Sequence, residues 1–179
     1  MKHRNRALIA VGACLISMLI CSCAQKVLPT DAVSSLPQNA AMLVDVNTDN
    51  GAALLLTPKS KIEWTSVPAN RAGALKGAYV TVGTYAGAGT GNLMMEVCTP
   101  SDCQRGAADI SKFKDNLLNS VMLEKPLNIA AGDVLTFTFS RTGGGRFAIW
   151  AYTPLVSKGA LVASGRTVNG RSLRVAAIY

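Results

Sequence analysis

From residue 40 to the C-terminus, the chain consists of short apolar runs separated by residues typical of turns. The clearest run is 134–140, where Leu135, Phe137 and Phe139 alternate with polar side chains. This two-residue period places the apolar side chains on one face of a β-strand. Runs of a similar kind predict further strands at 42–46, 53–57, 78–85, 93–97, 120–123, 146–152, 160–164 and 172–178.

Turn residues divide these runs. Segment 143–145 is three consecutive glycines and joins 134–140 to 146–152, which predicts a hairpin with a glycine loop. A second turn signal, Asn169-Gly170, stands between the last two runs. The strand 120–123 is expected to stop shortly afterwards, close to a proline at position 126.

Helical patterns are nearly missing from this part of the sequence. Only residues 110–118 are compatible with a helix, and Asp115-Asn116 disfavours one there. An α/β fold would need amphipathic helices between the strands. Many short strands separated by turns are typical of sandwiches. We therefore expect an all-β domain at 40–179, a single antiparallel β-sandwich of the jelly-roll type.

Residues 1–22 follow a different pattern. Lys2, Arg4 and Arg6 precede a run, 7–20, that is apolar apart from Ser17. A basic start followed by such a run is typical of an export signal. The run has about 14 residues, whereas a membrane-spanning helix needs roughly 20. The sequence therefore predicts a cleaved signal peptide.

The end of this leader, Ile20-Cys21-Ser22-Cys23, resembles the lipobox of bacterial lipoproteins. The resemblance implies cleavage before Cys23, which would become the lipid-modified N-terminus and attach the protein to a membrane. Ala24 stands where an aspartate commonly retains lipoproteins at the inner membrane, so the resemblance implies the outer membrane, on either its periplasmic or its outer face. Cys21 departs from the usual small or aliphatic residue, so secretion with cleavage elsewhere is the alternative.

The remaining segment, 23–39, connects the lipidation site to the predicted domain. It contains Pro29 and Pro37 and has no sustained periodicity. We expect a lipidated tether that spans on the order of 50 Å when extended.

The histidine content excludes several kinds of chemistry. The only histidine is His3, inside the predicted signal peptide, so Ser-His-Asp catalysis, Cys-His catalysis and the usual histidine-containing zinc sites are excluded. We expect no enzyme, no metal site and no cofactor. Paired carboxylates are the remaining catalytic alternative, with Glu63, Glu96 and Glu124 as the glutamates, although nothing in the sequence pairs them.

An Asx-rich segment is a second candidate for oxygen ligands. Asp45, Asn47, Asp49 and Asn50 form a loose cluster that could hold calcium. No glutamate closes the cluster at the spacing of an EF-hand loop, so an Asx turn is the favoured interpretation.

The net charge and the cysteines indicate which partners and which redox state to expect. Three of the 18 Lys+Arg lie in 1–22, which leaves 15 against 10 Asp+Glu, a net charge of +5. The basic residues are scattered, which disfavours a nucleic-acid partner and leaves a mild attraction to acidic glycans or lipid headgroups. Cys98 and Cys103 form an even pair, which predicts a structural disulfide. A redox-active pair is disfavoured, because no positive residue lies within the loop between them.

Aromatic residues supply the candidate binding surface. Trp150 and Tyr152 share a strand face with Arg146 by the two-residue period. Aromatic faces beside a guanidinium would suit stacking on sugar rings, whereas simple packing inside the sandwich is the alternative. Trp64 and Tyr85 are isolated aromatics and are expected in the core or an interface. The hydroxyls of Thr136, Thr138 and Ser140 are expected on a solvated sheet face.

Motifs over most of the chain after residue 60 resemble a β-sandwich module that accompanies some bacterial glycosyltransferases and surface-polysaccharide proteins. The matching segments are 73–77, 80–85, 91–97, 115–116, 126–127, 134–139, 148–150, 158–161 and 168–173. The resemblance implies a jelly roll in a glycan-related setting and transfers no catalytic residue, because the module is accessory. The chain departs from the family by lacking a transferase domain and by its cysteine pair.

These observations predict a lipid-anchored envelope protein with a non-catalytic β-sandwich that binds a glycan or an envelope partner. The alternative is a structural or assembly subunit of an outer-membrane or secretion complex.

Overall fold

A computed structural model describes residues 36–155 and 159–179. The predicted signal peptide 1–22, the lipidation site Cys23 and most of the predicted tether lie outside the described residues. The predicted all-β antiparallel fold is confirmed. Thirteen strands are described: β1 Ala40–Met42, β2 Val46–Leu55, β3 Ile62–Thr65, β4 Gly73–Gly83, β5 Asn92–Cys98, β6 Cys103–Asp109, β7 Leu118–Ile129, β8 Thr136–Arg141, β9 Ala148–Pro154, β10 Leu161–Ala163, β11 Arg166–Thr167, β12 Ser172–Leu173 and β13 Val175–Ile178.

The strands form one curled antiparallel sheet with a sandwich-like arrangement. Its main path runs β1-β13-β4-β7-β6-β5-β8-β3-β10-β11, and β9 pairs with β2, β12 and β4. The long strand β4 lets the sheet fold back, because most of β4 pairs with β7 and β13 while Val82 and Gly83 at its end pair with β9. The end of β4 therefore places β9 beside the main series of strands.

The inner faces of the strands form the core. Trp64 on β3 lies opposite Phe137 on β8, and Phe137 lies opposite Val97 on β5, so three strands place apolar side chains in one row. All three are fully buried, and the rings of Trp64 and Phe137 have centroids 5.5 Å apart. Each large apolar side chain buried in this way contributes about 1.5–3 kcal/mol to folding. Trp64 is a core residue, one of the two expected locations for it.

One predicted connection is wrong. The strands on either side of glycines 143–145 do not form a hairpin, since β8 pairs with β3 and β5 whereas β9 pairs with β2, β4 and β12. Asn169-Gly170 forms the turn that the sequence predicts, with a φ of 67° at Gly170, although the strands that flank it do not pair with each other. The hairpin in that region joins β10 to β11 across Ser164-Gly165, whose φ values of 50° and 77° suit a type I′ turn.

Strand β7 is longer than predicted and passes through Pro126. Leu75 pairs with Leu127 and Gly77 pairs with Met122, so β7 carries extra residues opposite a single residue of β4. A proline in such a bulge does not interrupt ladder hydrogen bonding. The segment 110–118, the only one compatible with a helix, contains one turn of 3-10 helix at Ile110–Lys112.

The first described residues lie beside the C-terminus. The backbone N–H of Ala40 donates to the carbonyl of Pro37 (2.8 Å), and that of Tyr179 donates to the carbonyl of Asn39 (2.8 Å). The last residues of the predicted tether are therefore bonded to the domain.

A buried cation connects three loops near the start of β9. Arg141, at the end of β8, is 3% exposed. Its guanidinium donates to the carbonyls of Leu56, Thr90 and Gly145 (3.4 Å each) and makes further bonds to those of Thr142 and Gly144. Burial lowers the pKa of Arg141, but a guanidinium stays charged in proteins.

Candidate functional site

The disulfide closes the β5–β6 hairpin. Cys98 and Cys103 are directly opposite in the register, and their sulfurs are 2.06 Å apart. Within the intervening loop, the N–H of Thr99 donates to the carbonyl of Asp102 (2.8 Å), and the N–H of Asp102 donates to Oγ1 of Thr99 (3.1 Å). The loop is bonded to itself, and this arrangement fits the structural role expected for the pair.

Trp150 occupies the outer face of β9, where its indole is held at both edges. A Cβ on Gly51 of β2 would lie 3.0 Å from Cε3 of the indole, and a Cβ on Gly83 of β4 would lie 3.2 Å from Nε1. A side chain at either position would therefore press against the indole. Nε1–H donates to Oδ1 of Asn116 at 2.9 Å. Trp150 is half-buried, so part of a well-held ring faces solvent.

Tyr85 and Arg146 extend this surface. The Arg146 guanidinium carbon lies 4.3 Å from the centroid of the Tyr85 ring. The edge of that ring (Cε2) is 3.8 Å from the place where a Cβ on Gly83 would be, so both aromatic rings approach the same glycine. Arg146 is exposed and Tyr85 is half-buried. We call Tyr85, Asn116, Arg146 and Trp150 the aromatic platform.

A strained turn presents Tyr85. Tyr85 and Ala86 have φ values of 51° and 58°, in the left-handed region that non-glycine residues rarely adopt. The turn is closed by the N–H of Ala88, which donates to the carbonyl of Thr84 (3.1 Å). The N–H of Thr84 in turn donates to Oδ1 of Asp115 at 2.6 Å. Such strain costs about 1–3 kcal/mol per residue and is found most often at binding sites.

Relief of this strain should be measurable. Ala86 is exposed, so Ala86→Gly should stabilise the protein by about 1 kcal/mol, since glycine adopts positive φ without steric cost. The urea midpoint of unfolding measures the change. Ala130→Gly is the control, because Ala130 is also exposed but lacks positive φ, and it should not stabilise. Equal effects of the two changes would contradict the strain.

Tyr152 does not add to the exposed surface. It is 7% exposed, and burial raises the pKa of its hydroxyl. A Cβ on Gly51 would lie 3.0 Å from its Cε1, so Tyr152 and Trp150 contact the same glycine. Of the three residues expected to share a ligand surface, Arg146 and Trp150 are accessible, whereas Tyr152 packs beside the indole.

Sequence patterns missed Tyr85 and Asn116 as members of the platform. Each contacts its partner across a large separation in sequence, Tyr85 with Arg146 and Asn116 with Trp150. Asn116 has a φ of 59°, which asparagine tolerates well. The sequence Asp115-Asn116 therefore indicated a turn, but it did not indicate that this turn lies beside the indole of Trp150.

The hydroxyl row and two glutamates lie on another face. Glu63 and Glu96 are opposite Thr138 on its two sides, which places their backbones about 10 Å apart by the spacing of strands. Glu96 forms an ion pair with Arg105 at 2.6 Å. Thr136, Thr138 and Ser140 are all half-exposed, as a solvated sheet face would be.

The Asx-rich segment uses its oxygens locally. Oδ1 of Asn47 accepts from the N–H of Asp49 at 2.9 Å, which is an Asx turn. Arg171 donates to the backbone carbonyl and to Oδ1 of Asn50. Across residues 36–155 and 159–179, no group of three or more carboxylate, cysteine or histidine side chains has the arrangement of a metal site.

An open groove lies on another part of the described domain. Its volume is about 220 Å³, and its lining residues are Met42, Leu43, Val44, Asp45, Val67, Pro68 and Asn70. Small-molecule sites usually enclose about 300–1,000 Å³. Among the described residues, no helix is both long enough and apolar enough to cross a membrane.

Comparison with known proteins identifies no relative, so the function has to be inferred from the geometry of the platform. No protein-family model matches the chain, and no curated protein matches its sequence. The platform combines partly exposed aromatic rings, a stacked guanidinium and a fixed amide on one surface. Such a surface can stack on the apolar face of a ring and bond to its polar edge.

Proposed function

We propose that this protein is a lipid-anchored envelope protein whose non-catalytic β-sandwich binds glycans through the aromatic platform. The observation that carries the proposal is the half-exposed indole of Trp150, held by Asn116 and two glycines beside the Tyr85–Arg146 stack. The C–H face of a sugar ring packs against an aromatic face, and its hydroxyls bond to nearby polar groups.

The platform is organised before any ligand arrives. The hydrogen bond to Asn116 fixes the orientation of the Trp150 ring, and the backbone of Gly51 and of Gly83 approaches the ring closely. Binding to rings that are already ordered avoids the entropy cost of immobilising side chains. This favours recognition on a surface, without an enclosed cavity.

The lipid anchor is proposed from the sequence. The lipobox resemblance assigns acylation to Cys23 and points to the outer membrane, and the predicted tether 23–39 would separate the domain from the headgroups. A tethered domain without histidine suits a role in holding a ligand more than one in transforming it.

A binding assay on a printed glycan array tests the proposal. The wild-type protein should bind at least one glycan class above background, and Trp150→Ala should weaken that binding about tenfold, equivalent to about 1.4 kcal/mol. Leu155→Ala is the matched control, since Leu155 is an apolar side chain that is 65% exposed. It should leave glycan binding unchanged.

Two outcomes would contradict the proposal: wild-type protein that binds no glycan, or Trp150→Ala protein that binds as well as wild type. Urea unfolding of each variant separates loss of binding from loss of folding. A variant with a wild-type midpoint but no binding identifies a contact residue.

The second candidate is an assembly subunit of an envelope complex. Strand β2 pairs on one side only among the described strands, with β9, and Leu55 at its end is 51% exposed. An open strand edge can pair with a strand from another protein. An array without binding, together with recovery of one stoichiometric partner from solubilised envelopes, would favour this function.

A further inference from the structure

The Arg146 guanidinium lies over the Tyr85 ring. The guanidinium carbon lies 4.3 Å from the Tyr85 ring centroid, a contact that uses the π-face of the ring. The N–H donors of a guanidinium point outward in its plane. Across the part of the chain that the structure describes, the Arg146 side chain has neither an ion-pair partner nor a hydrogen-bond acceptor.

Three other arginines of the domain are bonded to the protein through their N–H donors. Arg105 forms an ion pair with Glu96 at 2.6 Å, Arg171 bonds to Asn50, and the donors of Arg141 are directed at backbone carbonyls. The exposed guanidinium of Arg146 has no acceptor among the described residues. Arg71 makes a similar contact with Tyr179 (4.0 Å), but the tyrosine under Arg146 meets Trp150 at Gly83.

The carboxylate beside the platform does not compete for Arg146. Asp115 accepts the N–H of Thr84 at Oδ1 (2.6 Å) and the amide of Asn116 at Oδ2 (3.4 Å). Both of its oxygens therefore stabilise the platform itself. The chain from residue 23 onward also carries a net charge of +5, which favours approach of an anionic polymer.

We infer that the ligand of the aromatic platform is an acidic glycan, whose sugar carboxylate binds the edge of the Arg146 guanidinium while a ring stacks on Trp150. This inference rests on the proposed function and specifies its ligand class. Tyr85 and Trp150 meet at Gly83, so a sugar on the indole lies next to the guanidinium. A planar guanidinium matches a carboxylate with two parallel hydrogen bonds, which an ammonium group cannot do.

Matched polymers test the charge requirement. The probes are polygalacturonate, alginate and hyaluronate, each in its native form and after chemical reduction of its carboxylates to primary alcohols. Wild-type protein should bind at least one native polymer about tenfold more tightly than its reduced form. Higher salt should weaken binding of the native form more than that of the reduced form, because salt screens exposed charges.

Variants of Arg146 test the assigned residue. Arg146→Gln should bind the native and the reduced polymer with the same affinity. That affinity should equal the one that the wild-type protein has for the reduced polymer. Arg146→Lys should recover only part of the preference, because it keeps the charge and loses the planar fork. Arg166→Gln is the control, since Arg166 is another exposed arginine, and it should retain the full preference.

The outcomes separate the inference from the proposed function. Equal binding of native and reduced polymers, or binding to neutral glycans of the array alone, would overturn the acidic ligand and leave glycan binding intact. Failure to bind any glycan would overturn both. A preference that survives in Arg146→Gln, or that is lost equally in Arg166→Gln, would refute the role of Arg146.

Discussion

Arg141→Met should destabilise the protein by about 3 kcal/mol or more and lower its Tm by roughly 10 °C, since 1 kcal/mol corresponds to about 2–4 °C in a domain of this size. Arg141 is 3% exposed, and its guanidinium is the donor to carbonyls of three separate loops, including those of Leu56, Thr90 and Gly145. Methionine fills similar volume without any donor. The carbonyl of Leu56 belongs to a buried residue, and a buried carbonyl without a partner costs about 1–3 kcal/mol. Each lost hydrogen bond from a charged group adds about 1.5–3 kcal/mol.

Thermal and urea unfolding of matched variants would measure this effect. Arg166→Met removes an exposed arginine and should change the free energy of unfolding by less than 0.5 kcal/mol. Arg141→Lys keeps a positive charge but reaches fewer carbonyls, so it should fall between wild type and Arg141→Met. If Arg141→Met unfolds at the wild-type midpoint, the guanidinium does not connect the loops.

Local patterns predicted most of the strands, because strand periodicity is a property of neighbouring residues. They missed β3 and β6, and the predicted strand 42–46 spans the bend between β1 and β2. Phe137 and Phe139 alternate with polar residues, and both are fully buried on the inner face of β8. The same alternation correctly put Trp150 on the opposite face of β9 from Ile149, which is buried in the core. Such choices depend only on the two-residue period.

Strand pairing was harder to predict because it depends on distant residues. Glycines 143–145 gave a hairpin signal, yet β8 pairs with β3 and β5, and β9 joins β2 and β4. Those glycines pack against the loop that contains Thr90 and Gly91: a Cβ on Gly143 would lie within 3 Å of both residues. The loop's composition reflects this close packing and not a two-strand turn.

The platform was only partly visible in the sequence for a related reason. Arg146 and Trp150 shared a strand face by periodicity, but Tyr85 reaches them from a turn whose left-handed backbone is rare for tyrosine. Tyr152 lies on the same face and is nevertheless 7% exposed. Face assignment from periodicity therefore indicates direction, whereas exposure depends on which neighbouring elements cover that face.

Gly145→Ala should lower the free energy of unfolding by about 3–5 kcal/mol, more than an alanine at either of the other two glycines of the loop 143–145. A Cβ at this position would lie 1.7 Å from the carbonyl oxygen of Ala88, and the φ of Gly145 is 75°. The backbone would have to move by more than an ångström. That movement would pull away the Gly145 carbonyl, which accepts a hydrogen bond from Arg141. Urea unfolding measures the loss.

Two glycine variants separate the clash from the backbone strain. Gly132 has a φ of 94°, and no atom lies within 4 Å of a Cβ added there. Gly132→Ala should therefore lower the free energy of unfolding only by the backbone strain, about 1–2 kcal/mol. Gly144→Ala has neither positive φ nor any atom nearer than 4.0 Å, so it should change little. If Gly145→Ala costs no more than Gly132→Ala, the loops of Ala88 and Gly145 are not in contact.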